Sequence, residues 1–577
     1  MKSFLRTLLA ILFADALVVA LFALVLAAKT RETPTVEPGC ALVQTIDGDV
    51  PEYAPPGGFP SFGGPPASQT SILENLEKAR HDKRIHAVVL RLGAIGMGFA
   101  KLDEVQERIS QLRRAGKPVW AYTEFLTNRS LYLASACDSV FLLRNGYVGL
   151  HGFASGMPFV KGTLQKLGIK DNLHKIEKYK SAAELVQRTD MSPEARANID
   201  WMLDAYYPNF LRTIEEGRRL APGTLEAKAL SQGVLLPREA LEAGLVDRLV
   251  YWDEVESSLL KLPGIKAAKK TPKGLEPRPR VVRGEAYAKI PRGKAGIRAK
   301  KKIAIVHAQG LIAGEKSGTA LALGTTMGAG TMEEAFRQAA ADKDLAAIIF
   351  RVDSGGGESS TSWRIGRAAI RAGAVKPLVV SVSDVAASGA YMISYPCSTL
   401  VADRLSVVGS IGSISGKFNL HGLYDKLGIT MDFVTRGPNS LIDSDYFDYT
   451  PEQYESMTSR HWTDYYEWVD DIARCRHMTR AQVDSVGRGR VWTGEQALQR
   501  GLIDTLGTLD TAVQIAKRKA GIPAQQEVAF VHYPKPPSPL EALKGGGVAA
   551  AIRALIQSTL APLQREATWA VDWNSRF

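Results

Sequence analysis

Apolar residues gather in short continuous runs in two widely separated regions of this chain. One region holds His86–Ala–Val–Val–Leu–Arg–Leu92 and the start of a similar run at Pro118–Val119–Trp120. The other holds Ile303–Ala–Ile–Val–His307, Ala347–Ile–Ile–Phe–Arg–Val352 and Leu378–Val–Val–Ser–Val–Ser383. Runs this short, without regular polar alternation, predict strands covered on both faces. Helical spacing separates them, as in the stretch through Met332–Glu–Glu–Ala–Phe336. Strands alternating with helices predict an α/β chain built on parallel sheets.

The two regions also correspond residue by residue. Pro118–Val119–Trp120 through Tyr132–Leu133–Ala134–Ser135 answers Pro377–Leu378–Val379 through Tyr391–Met392–Ile393–Ser394. Further on, Leu167–Gly168–Ile169 answers Leu427–Gly428–Ile429, and Gly244–Leu245–Val246–Asp247 answers Gly501–Leu502–Ile503–Asp504. The near-constant spacing identifies a tandem duplication of one α/β unit. We place the first repeat at 69–260 and the second at 303–525. A basic linker occupies 261–302, a Pro/Gly-rich tether 29–68 and a tail 526–577, with an Ala-rich amphipathic stretch from Ala549 to Leu560.

Leu8 to Ala28 is apolar except for Asp15 and follows Lys2 and Arg6. As a helix at about 1.5 Å per residue it covers about 31 Å, enough to cross a bilayer. The flanking cations predict an N-terminal transmembrane anchor over 1–28 with the body of the chain exported; a signal peptide cleaved near Val25–Leu26–Ala27 is the rival expectation. At 577 residues, 45% of them hydrophobic and 23% charged, the remainder is long enough for two packed bodies. The net charge of +12 is concentrated in Lys261–Lys302, where the only acids are Glu276 and Glu285; such a run can bind anionic lipid headgroups or nucleic acid, but its Pro and Gly content favours a solvated connector and no nucleic-acid motif accompanies it. Four scattered cysteines form neither a disulfide framework nor a metal motif, and no metal or cofactor is expected.

The repeats differ where chemistry would occur. In the second, Asp384–Val–Ala–Ala–Ser388–Gly389–Ala390–Tyr391 puts a serine where a strand gives way to a helix, so that the next backbone N–H points toward a developing anion. The Asp353–Ser354–Gly355–Gly356–Gly357 turn, also following a strand, can expose further N–H groups. The first repeat has Arg129 in place of the serine and Gly93–Ala94–Ile95–Gly96–Met97 in place of the turn. A serine nucleophile needs a base. None of the nine histidines, among them His151, His307 and His421, fits both repeat and motif. A desolvated lysine is the other route. Lys180 precedes Ser181 and Glu184, which have capping-box spacing, so it stands at a helix start; its counterpart in the second repeat is Ser440. By residue type alone Lys180 also reads as an ordinary surface lysine.

Ser388 in its motif, Gly409–Ser410–Ile411–Gly412, Tyr179–Lys180–Ser181–Ala182 and Asp190–Met191–Ser192–Pro193 together resemble the tandem-repeat form of the signal peptide peptidase A (protease IV) family over nearly the whole chain. The resemblance implies a duplicated Clp-protease/crotonase-like fold and a Ser/Lys dyad that cuts membrane-derived hydrophobic peptides such as signal-peptide remnants. It implies Ser388 as nucleophile, Lys180 as general base, Ser410 as the group orienting the lysine, and the N–H groups of Gly389 and Gly356 as the oxyanion hole. It further implies a homotetramer at the bacterial inner membrane with the catalytic body on the periplasmic side. The chain departs from the family in having Gly355 for the usual proline, which predicts a looser turn, and Ala390 for a usual glycine. A crotonase-like acyl-CoA enzyme or a non-catalytic membrane scaffold is the competing expectation.

Overall fold

The computed structural model describes residues 34–54, 67–269, 276–320, 324–395 and 399–535. The expected anchor at Leu8–Ala28 and the stretch Ala549–Leu560 lie outside these residues; among the described residues no helix is long and apolar enough to cross a membrane.

Two sheets of the same topology account for the duplication. The first contains β1 (Cys40–Gly48), β2 (Ile85–Ile95), β3 (Val119–Thr127), β4 (Ser139–Gly149), β5 (Val234–Leu235), β6 (Arg248–Leu249) and β7 (Val281–Arg283) in the order β5-β4-β3-β2-β1-β7, with β6 also beside β4. The second contains β8 (Lys301–Gln309), β9 (Leu345–Ser354), β10 (Leu378–Ala387), β11 (Leu400–Ala402), β12 (Val407–Gly409), β13 (Val491–Thr493), β14 (Thr505–Leu506) and β15 (Val528–Tyr533). Its order is β13-β12-β10-β9-β8-β15, with β11 beside β10 and β14 beside β11. In each sheet the pairings are parallel apart from one antiparallel edge strand, β5 on β4 and β13 on β12.

Both faces of each sheet are covered, as the continuous apolar runs require. Successive strand residues point to opposite faces, yet Val88, Val89 and Leu90 are all fully buried, as are Ile348, Ile349 and Phe350. Val88 and Leu90 pack with Ile72 and Leu76 of helix Gln69–His81 and with Leu102 and Ile109 of helix Phe99–Arg114, while Ala87 and Val89 pack on Leu259 and Ile265. The core does not stop at the repeat boundary. Ala347, Ile349, Val379 and Val401 of the second sheet join the same apolar cluster as the first-repeat helices, together with Ala512 and Ala516 of helix Leu509–Lys519.

Three strands fall where the sequence pattern predicts connectors: β1 within the tether, β7 within the basic linker and β15 within the tail. Their apolar runs are short and flanked by Pro, Gly or Lys/Arg, which hides them. β7 and β15 are matching additions, each lying parallel beside the first strand of its repeat.

Polar groups also cross between the repeats. Arg351 of β9 is wholly buried; it donates to Glu52 (2.9 Å) and to Glu104 of helix Phe99–Arg114 (2.7 and 2.9 Å), as well as to Ser381 and Ser383. Burial alone would raise the Glu52 carboxyl, but Arg351, Lys101 and Ser383 hold it down to about 2. Removing one member of such a pair leaves an uncompensated charge, at about 3–5 kcal/mol. Glu104→Ala is expected to destabilise the chain by that amount, seen as a lower urea midpoint at an unchanged slope.

Candidate active site

Strand β10 delivers Ser388 to the junction with helix Gly389–Ser394. There the backbone adopts φ 55° and ψ −123°, a conformation that a residue with a side chain rarely takes. Strain of this kind persists only where surrounding contacts impose it. The Ser388 N–H donates to Gly409 O (2.8 Å), and Gly389 opens the helix with an N–H that has no partner within the helix.

The second side chain comes from the other repeat. Lys170–Lys175 forms an antiparallel ribbon with Ile414–Asn419, so the first repeat reaches over the second. Continuing from it, Ile176 N–H donates to Ser413 O (2.9 Å) and Tyr179 N–H to Arg488 O (3.0 Å). The backbone of Lys180 lies so close to Gly489 (φ +83°) that a Cβ there would fall 2.3 Å from the Lys180 nitrogen, so only glycine fits. Lys180 Nζ lies 2.9 Å from Ser388 Oγ, 2.9 Å from Ser410 Oγ and 3.1 Å from Ser410 O. Lys180 is 7% exposed and, among the described residues, has no carboxylate partner. Burial alone pushes its amine down to about 7. Such an amine can accept a hydroxyl proton at neutral pH.

The expected capping box at Lys180 does not form. Ser181–Ala183 is a single 3₁₀ turn without a side-chain cap, and Glu184 instead accepts from Lys175 Nζ (2.6 Å) and Ser192 Oγ (2.8 Å). A buried carboxylate near both a cation and a hydroxyl gains more from them than from one backbone N–H. Lys180 is therefore held by its backbone contacts to the second repeat.

The glycine turn lies against the serine. A Cβ on Gly356 (φ +104°) would meet Gly389 N at 2.6 Å and Ser388 Cβ at 2.8 Å. The proline missing at Gly355 is compensated: Ser354 Oγ donates to Gly310 O (2.6 Å) and accepts from Gly356 N–H (3.1 Å), and Ile312 N–H donates to Gly356 O (2.9 Å). The turn is pinned rather than loose, with the Gly356 N–H engaged inside it.

Ser388, Lys180, Ser410, Gly389 and Gly356 thus lie together, whereas Ser440 is exposed and donates to Gly437 O. The histidines have other partners. His307 stacks on Tyr53 and bonds His532, His421 stacks on Tyr446, and His151 contacts Tyr147. The periodicity gave no sign of the aromatic stack beside Lys180: Arg490 lies 3.9 Å from the Tyr179 ring centre, Tyr179 meets Trp201, and Trp201 stacks on Trp492 at 5.0 Å. Only the clustering of Tyr179 next to Lys180, and of Arg490 next to Trp492, hinted at it.

A serine on a strained strand-to-helix turn, touching a desolvated lysine, marks the class of serine hydrolases that work without histidine. The profile of Peptidase family S49 matches residues 111–266 and 371–523, more than half the chain. This chain belongs to that family and is a serine peptidase, which sets aside the acyl-CoA enzyme and the scaffold. Its sequence is 31% identical over 481 residues to the chloroplastic serine protease SPPA of Arabidopsis thaliana, covering 83% of this chain and 70% of that one. It is also 31% identical over 508 residues to Protease 4 of Salmonella typhi, covering 85% and 78%. A solved 1510-N membrane-bound stomatin-specific protease covers 42% of this chain at 13% identity and a TM-score of 0.26, too loose a match to carry weight.

The lowered pKa of Lys180 has a signed consequence for stability. Between pH 7 and 10.5 the unfolded chain holds the proton that the folded chain has released, so stability rises with pH across that window, and the full penalty is present below it. Lys180→Met removes the penalty. It is expected to stabilise the chain by about 3 kcal/mol at pH 7, after allowing for the lost hydrogen bonds, with the gain fading toward pH 10.5. Thermal unfolding of both proteins across that range checks the sign.

Proposed function

We propose that Ser388 is the nucleophile, Lys180 its general base and Ser410 the group that fixes the lysine, with Gly389 and Gly356 stabilising the oxyanion. The observation that carries this is the 2.9 Å contact between a buried amine of the first repeat and a hydroxyl of the second. Neutral Lys180 takes the Ser388 proton as Oγ attacks the scissile carbonyl, and returns it to the leaving amine. Water then attacks the acyl carbon, giving a proton to the same amine, which passes it to Ser388 Oγ as the acyl C–O bond breaks and the carboxylic acid leaves. Ser410, through Oγ and its carbonyl, accepts the two N–H bonds of the neutral amine and so turns its lone pair toward Ser388. Gly356 N–H exchanges Ser354 Oγ for the substrate oxygen.

The substrates we assign are hydrophobic, membrane-derived peptides such as signal-peptide remnants. The small residues around Ser388 and Gly356 suit an extended apolar chain beside the nucleophile. The apolar run Leu8–Ala28 supports a single-pass anchor in the bacterial inner membrane, with the body on the extracytoplasmic side. Leu427, Met431, Val434 and Phe447 are exposed, an apolar surface that suits assembly into the proposed homotetramer. Each repeat is assigned to the Clp-protease/crotonase-like class.

Ser388→Ala and Lys180→Met should each lower peptide cleavage by roughly three orders of magnitude or more, with the fold retained. A fluorophosphonate should modify Ser388 in the parent chain. Full activity in either folded variant would remove the dyad.

A further inference from the structure

A second lysine of the first repeat also reaches into the second. Lys101, in helix Phe99–Arg114, is 6% exposed, and its Nζ lies 2.7 Å from Asp353 Oδ2 and 3.7 Å from Asp384 Oδ2. Both acids sit near the ends of the strands that carry the site, Asp353 in β9 and Asp384 in β10. Asp353 immediately precedes Ser354 and the glycine turn, and Asp384 stands four residues before Ser388. They also mark an irregularity in strand pairing. Register between β9 and β10 runs evenly to Val352 opposite Val382 and resumes at Ser354 opposite Ala386, leaving Asp353 on one strand and Ser383, Asp384 and Val385 on the other unmatched. Bulges of this kind re-aim the chain that follows them. Here both emerging segments, one with the nucleophile and one with the glycines, leave from the bulge.

Two carboxylates at such a bulge repel one another and would spread the strand ends. Burial and the neighbouring Asp353 push the Asp384 carboxyl up to about 6, against the pull of Lys101. The first repeat counters the repulsion in two ways. Lys101 puts a cation between the acids, and the N-terminus of its helix binds Asp384 directly: Gly98 N–H donates to Oδ2 (3.0 Å) and Lys101 N–H to Oδ1 (3.1 Å). The fit depends on Gly98, since a Cβ there would fall 2.4 Å from the Asp384 carboxylate. Gly98 has φ −73°, so the constraint is steric and not conformational. The second repeat has no equivalent cation, because its matching helix opens with Ser359, Ser360 and Thr361.

We propose that Lys101 is a positioning residue for the peptidase reaction: it clamps Asp353 and Asp384 so that Ser388 and the glycine turn hold their reacting geometry. The proposal rests on the assignment of Ser388 as nucleophile. The first repeat then contributes Lys180 to the chemistry and Lys101 to the geometry, and neither lysine touches the other's partners.

The test uses the full chain, a peptide substrate and a fluorophosphonate probe, with Lys101→Met, Asp384→Asn and Gly98→Ala. Gly98→Ala keeps every charge and displaces only the Asp384 carboxylate, so it reads the geometry even if Lys101→Met fails to fold. A misplacement of about 1 Å lowers rate about 100-fold. The expected result is a 10- to 100-fold fall in kcat and in the rate of Ser388 labelling, with KM within about twofold of the parent, in variants that unfold cooperatively. Wild-type labelling rates in folded Gly98→Ala and Asp384→Asn overturn the clamp, as does a raised KM at unchanged kcat. An unmodified Ser388 in the parent chain overturns the nucleophile assignment, and the clamp with it; a modified Ser388 with unaffected variants overturns the clamp alone.

Discussion

The proposed Ser388/Lys180 dyad depends on keeping one ammonium group out of water. A lysine in solvent stays charged at neutral pH and cannot take a proton from a hydroxyl. Lys180 is brought near neutrality by burial, with no neighbouring cation needed to do it. Burial of that quality needs walls from more than one element. The loop through Gly489 lies against the Lys180 backbone, and the ribbon Lys170–Lys175 with Ile414–Asn419 and the stack of Arg490, Tyr179, Trp201 and Trp492 hold the flanking chain on the second repeat. Each of these joins first-repeat to second-repeat residues. The seam between the copies is therefore the structural condition for the proposed chemistry.

The seam has to be stable enough to hold an unfavourably buried amine. Apolar packing supplies the bulk of that stability, since the second sheet shares a core cluster with the first-repeat helices. Buried and half-buried polar contacts add direction. Arg351 with Glu52 and Glu104, and Arg404 with Asp103 at 2.9 Å, fix how the second sheet sits on helix Phe99–Arg114. Buried ion pairs of this kind contribute less net stability than their distances suggest, but mispairing them is expensive. They penalise a shifted register of one repeat on the other, and a shift of one residue would separate Lys180 from Ser388.

Much of this was legible in the sequence. The apolar runs located the central strands, the matched motifs exposed the duplication, and the contrast between Ser388 and Arg129 pointed to unequal copies. Strands β1, β7 and β15 were hidden among Pro, Gly and basic residues, and β7 and β15, as edge additions, need few apolar positions. The capping-box spacing at Ser181 and Glu184 misled, since a local pattern cannot register that Lys175 and Ser192 compete for the carboxylate. The loss of proline at Gly355 also misled, because the compensating Ser354 bonds depend on Gly310, which no spacing rule connects to it. Contacts between repeats, above all those of Lys101 and Arg351, pair residues hundreds of positions apart and leave no periodic trace.

The central claim is that desolvation across the seam tunes Lys180 to act on Ser388. The pH dependence of Ser388 phosphonylation by a fluorophosphonate, measured on the full chain between pH 5 and about pH 11.5, tests it without the complications of substrate binding. The rate should rise with pH through a single inflection near 7, where Lys180 loses its proton, and then level off. An inflection near the ordinary lysine value of 10.5, or a rate that does not change with pH, would contradict the account.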